Sequence, residues 1–448
     1  MEDVLNYIDE HRDEYIGMLQ RLVRQPSVSA QGIGIAETAE MVEGLLTENG
    51  FEAKQYETKG NPVVYAEQKG AASKRLSFYN HYDVQPAEPL ELWHSDPWDP
   101  VIREGRIWAR GVADNKGNLV ARISAMNAVR AVRGELPLNI KFIVEGEEEI
   151  GSINIEDFTH AHPDLMASDG CIWESGSRDE KGRQVINLGM KGICYVELRV
   201  KSVSEDQHSS KAIRLPNAAW RLVWALSTLK GPDEKILIPG FYDKVRQPTP
   251  AERAVLERIP DDSADEMQRL GIDHYLLNLT GTERIERDFF QPTCTVSGIL
   301  SGYTGKGSKT VMPAEAMAKV DMRLVPDQDP HEIFALLRKH LDDQGFTDIE
   351  LTLLGPEPPG RTSLEAPLAK VVESTYTDLT GLDSIITPSS LGTGPWYQLC
   401  SSFGIDGCTA GSGHPASGAH APNENIYVDD YIRHIKHVAL IMDRFASA

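Results

Sequence analysis

Histidine and carboxylate side chains stand where apolar segments of the sequence end. His81 closes one such segment, with Asp83 shortly after it, and Glu174 directly follows another. Ligands of open α/β sheets gather outside the carboxyl ends of strands, so side chains in these positions can converge. A histidine there can bind a metal ion while a nearby carboxylate orients its ring. A single His-x-Asp pair, however, is more often a pair of surface polar residues.

The run Glu145-Gly-Glu147-Glu148-Glu149 places four carboxylates within five residues, directly after the apolar segment 142–144. Acidic runs on protein surfaces are usually solvated. This run begins where a core strand is expected to end, and like charges held together there are unfavourable unless cations or protons compensate them. The run leaves two interpretations open, a metal site and a solvated surface.

Two loops supply further candidates. Asp114 lies in a glycine-flanked loop before an expected helix, where its carboxylate can cap the helix or bridge two cations. His420 lies in a glycine-rich loop before the last helix, and His414 in the same loop is a rival ligand that we expect to be an ordinary loop residue. The five cysteines form no Cys-x-x-Cys pair, which argues against a cysteine-based zinc site and against a disulfide framework. Any metal ion must therefore be held by histidine and carboxylate.

The charge of the chain limits its partners. Lys and Arg number 45 against 67 Asp and Glu, and the formal net charge of −22 disfavours nucleic acid and anionic membranes as partners. No apolar run reaches the roughly 18 residues that a membrane span needs. The first residues are acidic and lack the basic start and apolar stretch of a signal peptide, so we expect a cytoplasmic protein.

The scaffold that must position these residues is expected to have two domains, because the chain has 448 residues. Apolar residues recur with helical spacing over 2–24 and 35–48. The patterns then alternate, with a helix over 116–132 and strands over 139–144 and 170–173. Such alternation predicts an α/β sheet with helices on its faces.

The pattern changes near Gly189. A helix is expected over 331–343, flanked by strands over 309–324 and 349–354, and elements in this order predict a separate α+β module. The segment 355–360, rich in proline and glycine, is expected to be its exit linker.

Four sequence blocks, in this order, resemble those of the M20 family of metallopeptidases, and in particular its carnosinase and cytosolic dipeptidase branch. They are His81-Tyr-Asp-Val-Gln-Pro, Arg110-Gly-Val-Ala-Asp-Asn-Lys-Gly, Glu145-Gly-Glu-Glu-Glu-Ile-Gly-Ser and Gly418-Ala-His-Ala-Pro-Asn-Glu. The resemblance covers essentially the whole chain. It implies an α/β catalytic domain with a mainly parallel sheet flanked by helices, formed by 1–188 and 361–448. It also implies an inserted α+β lid and dimerisation domain over 189–360.

The resemblance implies a centre with two divalent metal ions. His81 and Glu174 would bind one ion, His420 and Glu149 the other, and Asp114 would bridge the pair. The family often has Asp where Glu174 stands. We expect zinc, although His and carboxylate ligands also suit manganese or cobalt.

The resemblance also implies roles for residues that do not bind metal. Glu148 matches the general base and Asp83 the residue that supports His81. In the inserted module, His208 matches a histidine that reaches the active site of the partner subunit in related dimers, so we expect a homodimer; the family usually has Gly where Ser210 stands. Arg323 matches the arginine that holds the substrate carboxylate, and Asn217 a further substrate contact.

The implied activity is hydrolysis of the peptide bond of dipeptides or short peptides next to a free C-terminal carboxylate. Water activated by the ions attacks the peptide carbonyl, and Glu148 acts as the general base. The alternatives in the same scaffold are an N-acyl amino acid deacylase and a carboxypeptidase. A non-catalytic metal-binding scaffold is a further alternative, but such a protein would not need Glu148 beside its ligands.

Overall fold

The protein is described here by a computed structural model of residues 1–448. It has fourteen α-helices: α1 (Glu2–Glu10), α2 (Arg12–Val23), α3 (Ile35–Glu48), α4 (Lys116–Arg133), α5 (Ile155–Ala161), α6 (Pro163–Met166), α7 (Ala218–Leu226), α8 (Pro250–Leu256), α9 (Ser263–Leu270), α10 (Gly281–Phe290), α11 (Pro330–Asp343), α12 (Pro367–Thr380), α13 (Trp396–Leu399) and α14 (Val428–Phe445).

Twenty strands accompany them: β1 (Glu52–Tyr56), β2 (Val63–Gln68), β3 (Ala72–His81), β4 (Val101–Arg103), β5 (Arg106–Trp108), β6 (Leu138–Glu145), β7 (Cys171–Trp173), β8 (Ser177–Arg178), β9 (Gln184–Asn187), β10 (Gly189–Met190), β11 (Gly192–Lys201), β12 (Gln207–His208), β13 (Thr295–Ser301), β14 (Val311–Met312), β15 (Glu315–Leu324), β16 (Glu350–Glu357), β17 (Gly360–Arg361), β18 (Ile385–Thr387), β19 (Gly407–Thr409) and β20 (Asn425–Tyr427).

The chain divides into two compact units. The first consists of Met1–Gly189, Arg361–Pro388 and Gly394–Ala448, and the second of Met190–Gly360 and Ser389–Thr393. The main sheet of the first unit has the order β1-β2-β6-β3-β7-β19. Strands β6, β3, β7 and β19 run parallel to one another, whereas β2 is antiparallel to both β1 and β6. The predicted α/β class with a mainly parallel sheet is confirmed.

The core of the first unit is formed by the sheet and the helices that cover it. The last six residues of β3 and of β6 are buried, as expected for parallel strands covered on both faces. Helix α4 packs against α2 and α14, and it ends at Gly134, whose φ of 84° is the left-handed conformation that glycine adopts most readily.

One helix prediction was wrong in detail. The segment 2–24 forms two helices because the backbone of His11 leaves the helical conformation, with φ −104° and ψ 18°. A ring nitrogen of His11 lies 2.9 Å from the carbonyl oxygen of Tyr7, and the two rings stack. The backbone amide of His11 still donates to the same carbonyl oxygen at 3.0 Å, so the break is a change of backbone direction and not the loss of that hydrogen bond.

The second unit contains an antiparallel sheet in the order β13-β15-β11-β16, with α7 and α11 packed against it. Strand β16 runs through Glu357, so the prediction that the linker starts at Gly355 was wrong. Strand β16 lies at the edge of its sheet, where Pro356 is tolerated because an edge residue needs no donor on its outer side.

None of the fourteen helices combines the length and the apolar character that a membrane span requires.

Candidate metal centre

The carboxyl ends of three neighbouring strands meet at one edge of the main sheet. His81 at the end of β3 lies opposite Glu145 at the end of β6. On the other side of β3, strand β7 ends immediately before Glu174. The Glu147-Glu148-Glu149 turn and Glu174 therefore emerge on either side of His81, because parallel neighbouring strands end at the same edge.

His81 is fully buried and both of its ring nitrogens have oxygen neighbours. Nδ1 lies 2.9 Å from the backbone oxygen of Asp83 and 3.4 Å from its Oδ1, and Nε2 lies 3.0 Å from Oδ1 of Asp114. The hydrogen bond at Nδ1 fixes the orientation of the ring. Nε2 therefore faces the centre as the nitrogen suited to bind an ion.

Asp114 lies between two histidines. Its Oδ1 faces His81, and its Oδ2 lies 3.1 Å from Nε2 of His420. The residue at the N-cap of α4 is Asn115, and no side chain caps this end, so the capping role considered for Asp114 is not found. One carboxylate thus presents each oxygen to a different imidazole, which is the arrangement that a bridging ligand requires.

His420 and Glu149 complete this side of the centre. Nε2 of His420 lies 3.1 Å from Oε2 of Glu149. Donor atoms of His81, Asp114 and Glu149 lie within 4.8 Å of one another, close enough to share ions. His420 has a φ of 63°, so its backbone is in the left-handed region that residues other than glycine seldom adopt.

The carboxylates of Glu174 and Glu148 both lie close to other carboxylates of the site. Nδ2 of Asn115 donates to Oε2 of Glu174 at 2.9 Å and to its backbone oxygen at 2.7 Å. Burial and then the charge of Asp114 raise the pKa of Glu174 to about 7. Burial also raises the pKa of Glu148 well above its usual range, and the nearby charges of Glu174 and Asp114 raise it further, although His81 lowers it.

Divalent cations fit this arrangement. Oε1 of Glu149 is buried and has no hydrogen-bond partner, and an unpaired buried carboxylate oxygen is unfavourable unless a cation neutralises it. Two imidazoles and three carboxylates are a donor set that suits zinc and similar ions.

The cysteines and His414 do not belong to this group. All five cysteines are free and buried. His414 lies outside the group, with Nε2 3.1 Å from Oδ1 of Asn425.

The three remaining predicted residues belong to the second unit. His208 is exposed, and its Nδ1 lies 2.9 Å from Oγ of Ser210. Arg323 on β15 donates to Oγ1 of Thr393 at 2.8 Å and lies 3.3 Å from Oδ1 of Asp321. Asn217 caps α7 by accepting a hydrogen bond from the backbone amide of Trp220, a structural role for which Asn is among the preferred residues.

Several residues that support the centre were not predicted. The carboxylate of buried Glu424 accepts hydrogen bonds from the backbone amides of Gly111, Ala113 and Asp114 and from Arg110. It therefore joins the loop of Asp114 to that of His420. Glu424 lies within a recognised sequence block, which was the available signal, but its contacts span more than 300 positions of sequence and no local pattern indicates them.

The fold and the site together define an α/β protein with a cluster of histidine and carboxylate side chains that could hold metal ions. Residues 77–444 match peptidase family M20/M25/M40. The chain belongs to this family and is a metal-dependent peptidase, as the sequence blocks predicted.

The similarity extends over most of the chain. The Cys-Gly metallodipeptidase dug1 of Schizosaccharomyces pombe is 30% identical over 362 residues, which cover 76% of this chain and 75% of that protein. The Beta-Ala-His dipeptidase of Homo sapiens is 29% identical over 365 residues, 77% of this chain and 71% of that one.

Solved structures show the same fold. The M20 family metallo-carboxypeptidase Sso-CP2 from Sulfolobus solfataricus superposes with a TM-score of 0.93 at 40% identity, covering 97% of this chain and 100% of that one. Human carnosine dipeptidase 1 superposes with a TM-score of 0.83 at 25% identity, covering 100% and 99% of the two chains.

Proposed function

We propose that this protein is a di-metal dipeptidase that hydrolyses the peptide bond next to a free C-terminal carboxylate. The observation that carries the proposal is the position of Asp114, whose two oxygens face His81 and His420 at 3.0 and 3.1 Å. We propose that His81 and Glu174 bind one ion, that His420 and Glu149 bind the other, and that Asp114 bridges them. We propose zinc as the metal, with manganese or cobalt as alternatives.

Each residue around the centre has a distinct role in the proposed reaction. The ions, when bound, supply Lewis acidity, which polarises a peptide carbonyl and lowers the pKa of water. Glu148 takes a proton from the attacking water and returns it to the departing amine. Burial and the charges of the neighbouring carboxylates raise the pKa of Glu148, and a raised pKa suits a carboxylate that takes up a proton near neutral pH. Asp83 keeps the ring of His81 in place.

The second unit supplies the proposed substrate contacts. The guanidinium of Arg323 binds the terminal carboxylate of the substrate, for which its planar pair of donors is suited. The imidazole of His208 stabilises the oxygen of the reacting carbonyl, and Asn217 makes a further contact. The exposure of the His208 side chain supports a role toward another molecule.

We propose a homodimer formed through this unit. Strand β13 pairs only with β15 and is therefore an edge strand, and Val296, Ile299 and Leu300 on it are exposed. Trp220 and Trp224 are exposed on α7, which packs on β15 and β11. Exposed edge strands and exposed apolar side chains of this size are typical of protein interfaces.

A carboxypeptidase is the second candidate, because the metallo-carboxypeptidase Sso-CP2 shares more identity with the chain, 40%, than the dipeptidases at 29–30% do. Both activities use the same centre and differ in the length of substrate that is accepted.

The five free cysteines support the proposed cytoplasmic location, where thiols stay reduced.

The proposal is tested with a substrate panel. Protein freed of metal by a chelator is reloaded with zinc or manganese and given dipeptides, the same dipeptides with an amidated C-terminus, longer peptides and N-acyl amino acids. We expect fast release of amino acids from dipeptides, little from the amides, and none without metal. Preference for longer peptides or acyl amino acids would favour the alternatives, and no hydrolysis by the metal-loaded protein would favour a binding scaffold.

A further inference from the structure

Arg122 on helix α4 is a fully buried cation beneath the metal centre. It has no carboxylate within the 4.0 Å of an ion pair, and its Cζ lies 5.6 Å from the centre of the Phe78 ring. Burial lowers the pKa of the Arg122 guanidinium to about 10, so the group remains protonated near neutral pH. A buried charge of this kind is unfavourable unless surrounding groups stabilise it.

The guanidinium is stabilised by oxygens at the carboxyl ends of three strands. Nη1 donates to the backbone oxygen of Tyr79 at 2.9 Å, and Nη2 donates to the backbone oxygens of Glu174 and Ala410, each at 3.1 Å. Nη2 also contacts the backbone oxygen of Trp173. One side chain thus joins the ends of β3 and β7 to the residue that follows β19.

A chain of side-chain hydrogen bonds leads from Arg122 to the carboxylate of Glu174. Nη1 of Arg122 donates to Oδ1 of Asn80 at 2.8 Å. The side-chain nitrogen Nδ2 of Asn80 donates to Oδ1 of Asn115, and Nδ2 of Asn115 donates to Oε2 of Glu174. Both ends of Glu174 are therefore held, its backbone by Arg122 directly and its carboxylate through the two asparagines.

The ligands proposed for the second ion, Glu149 and His420, are held in place by other residues. Oε2 of Glu149 accepts from Nε2 of Gln85 at 2.9 Å, and the loop of His420 is held by Glu424. None of these groups is hydrogen-bonded to Arg122 or Asn80. Asn115 directly follows the proposed bridge Asp114, so a change in the Arg122 network should weaken mainly the ion position of His81 and Glu174 and affect the other position less.

We infer that Arg122, through Asn80 and Asn115, is a positioning residue that sets the affinity of the metal position formed by His81 and Glu174. The inference rests on the proposed role of Glu174 as a ligand. Groups that orient metal ligands typically change metal affinity by about 10- to 100-fold when removed. We expect Arg122→Met and Asn80→Ala to weaken one of two zinc positions by about this factor.

The experiment measures zinc retained by the protein against increasing concentrations of a competing chelator. Wild type is compared with Arg122→Met, Arg122→Lys and Asn80→Ala. Arg122→Lys keeps the charge but loses the planar pair of donors, so it should weaken the same position. Asn127→Ala, on the same helix, is the matched control, because Asn127 bonds Tyr15 and Asn49 instead, and it should retain zinc as wild type does.

Two ligand variants identify the position that is affected. Glu174→Ala and Glu149→Ala should each remove a different ion, and the ion lost from the Arg122 variants should be the one lost from Glu174→Ala. Equal weakening of both positions, or no weakening, would overturn the inference. If Arg122→Met does not fold, Asn80→Ala decides the question. If Glu174→Ala itself retains both ions, the proposed ligand assignment fails instead.

Discussion

The carboxylate of Asp83 lies 3.1 Å from the backbone amide nitrogen of Glu149. Its other oxygen lies 3.3 Å from the backbone amide nitrogen of Glu148 and 3.4 Å from Nδ1 of His81. One buried side chain thus holds both the ring of His81 and the turn that carries Glu148 and Glu149. The relative position of proposed ligands from β3 and β6 depends on it.

Replacing Asp83 should therefore weaken metal binding without unfolding the protein. In Asp83→Asn the amide group can accept through one atom only, so one of its contacts is lost. We expect zinc affinity to fall by about 10- to 100-fold, measured by chelator competition. Asp99→Asn is a control because Asp99 is exposed, and an Asp83 variant that binds zinc like this control would contradict the role.

Glu148→Gln should separate metal binding from turnover. General bases typically contribute about 10²- to 10⁴-fold to rate, so we expect kcat on a good dipeptide to fall by at least about 100-fold while metal content stays at the wild-type level. Glu147→Gln is the matched control: Glu147 accepts from the amide nitrogen of Asn61 and from Asn154, and its loss should leave kcat largely unchanged. Full metal with near-normal kcat in Glu148→Gln would refute the general-base assignment.

The sequence predicted best those site residues that stand together in short blocks. The block around His81 and the acidic run each combine a core strand with the polar residues at its end, so local pattern alone placed them at the edge of a sheet. The α/β class followed from alternating periodicities, and the helix over 35–48 was predicted with its observed bounds.

What could not be predicted depends on contacts between distant segments. The guanidinium of Arg122 bonds backbone oxygens up to 288 positions away, and Glu424 bonds amides more than 300 positions away. An arginine in a helix is usually solvated, so nothing local distinguished Arg122 from its neighbours. The first helix is interrupted by the backbone conformation of His11, which the spacing of apolar residues does not indicate.

A buried histidine makes the stability of the first unit sensitive to acid. His437 on α14 is almost fully buried, and its Nε2 lies 3.0 Å from the backbone oxygen of Val372. Burial lowers the pKa of His437 from 6.5 to about 4. The unfolded chain therefore binds a proton that the folded protein excludes, so this contribution to stability is present above pH 6.5 and is lost as the pH falls toward 4.

The size of the effect is about 3 kcal/mol, because each pKa unit corresponds to about 1.4 kcal/mol. Urea unfolding of metal-free protein between pH 7.5 and about 4 should show that wild type loses about this much more stability than His437→Gln, which cannot titrate there. Parallel pH profiles for the two proteins would contradict the prediction.

The proposed dimer is tested by placing charges on the exposed apolar surface of the second unit. Trp224→Asp and Ile299→Lys should each shift the protein toward monomer, because a charge buried in an interface without a partner is unfavourable. Sedimentation velocity over a range of concentrations measures this. Val132→Asp, an exposed apolar position of the first unit, should leave association unchanged, and dimers that persist in both test variants would exclude this surface.

The central claim is that two ions lie on either side of the Asp114 carboxylate. Crystals of the zinc-loaded protein, with data collected on both sides of the zinc absorption edge, locate the ions directly. We predict two anomalous peaks, one contacting His81 and Glu174 and the other contacting His420 and Glu149, with Asp114 bound to both. A single peak, or peaks away from Asp114, would contradict the proposed centre.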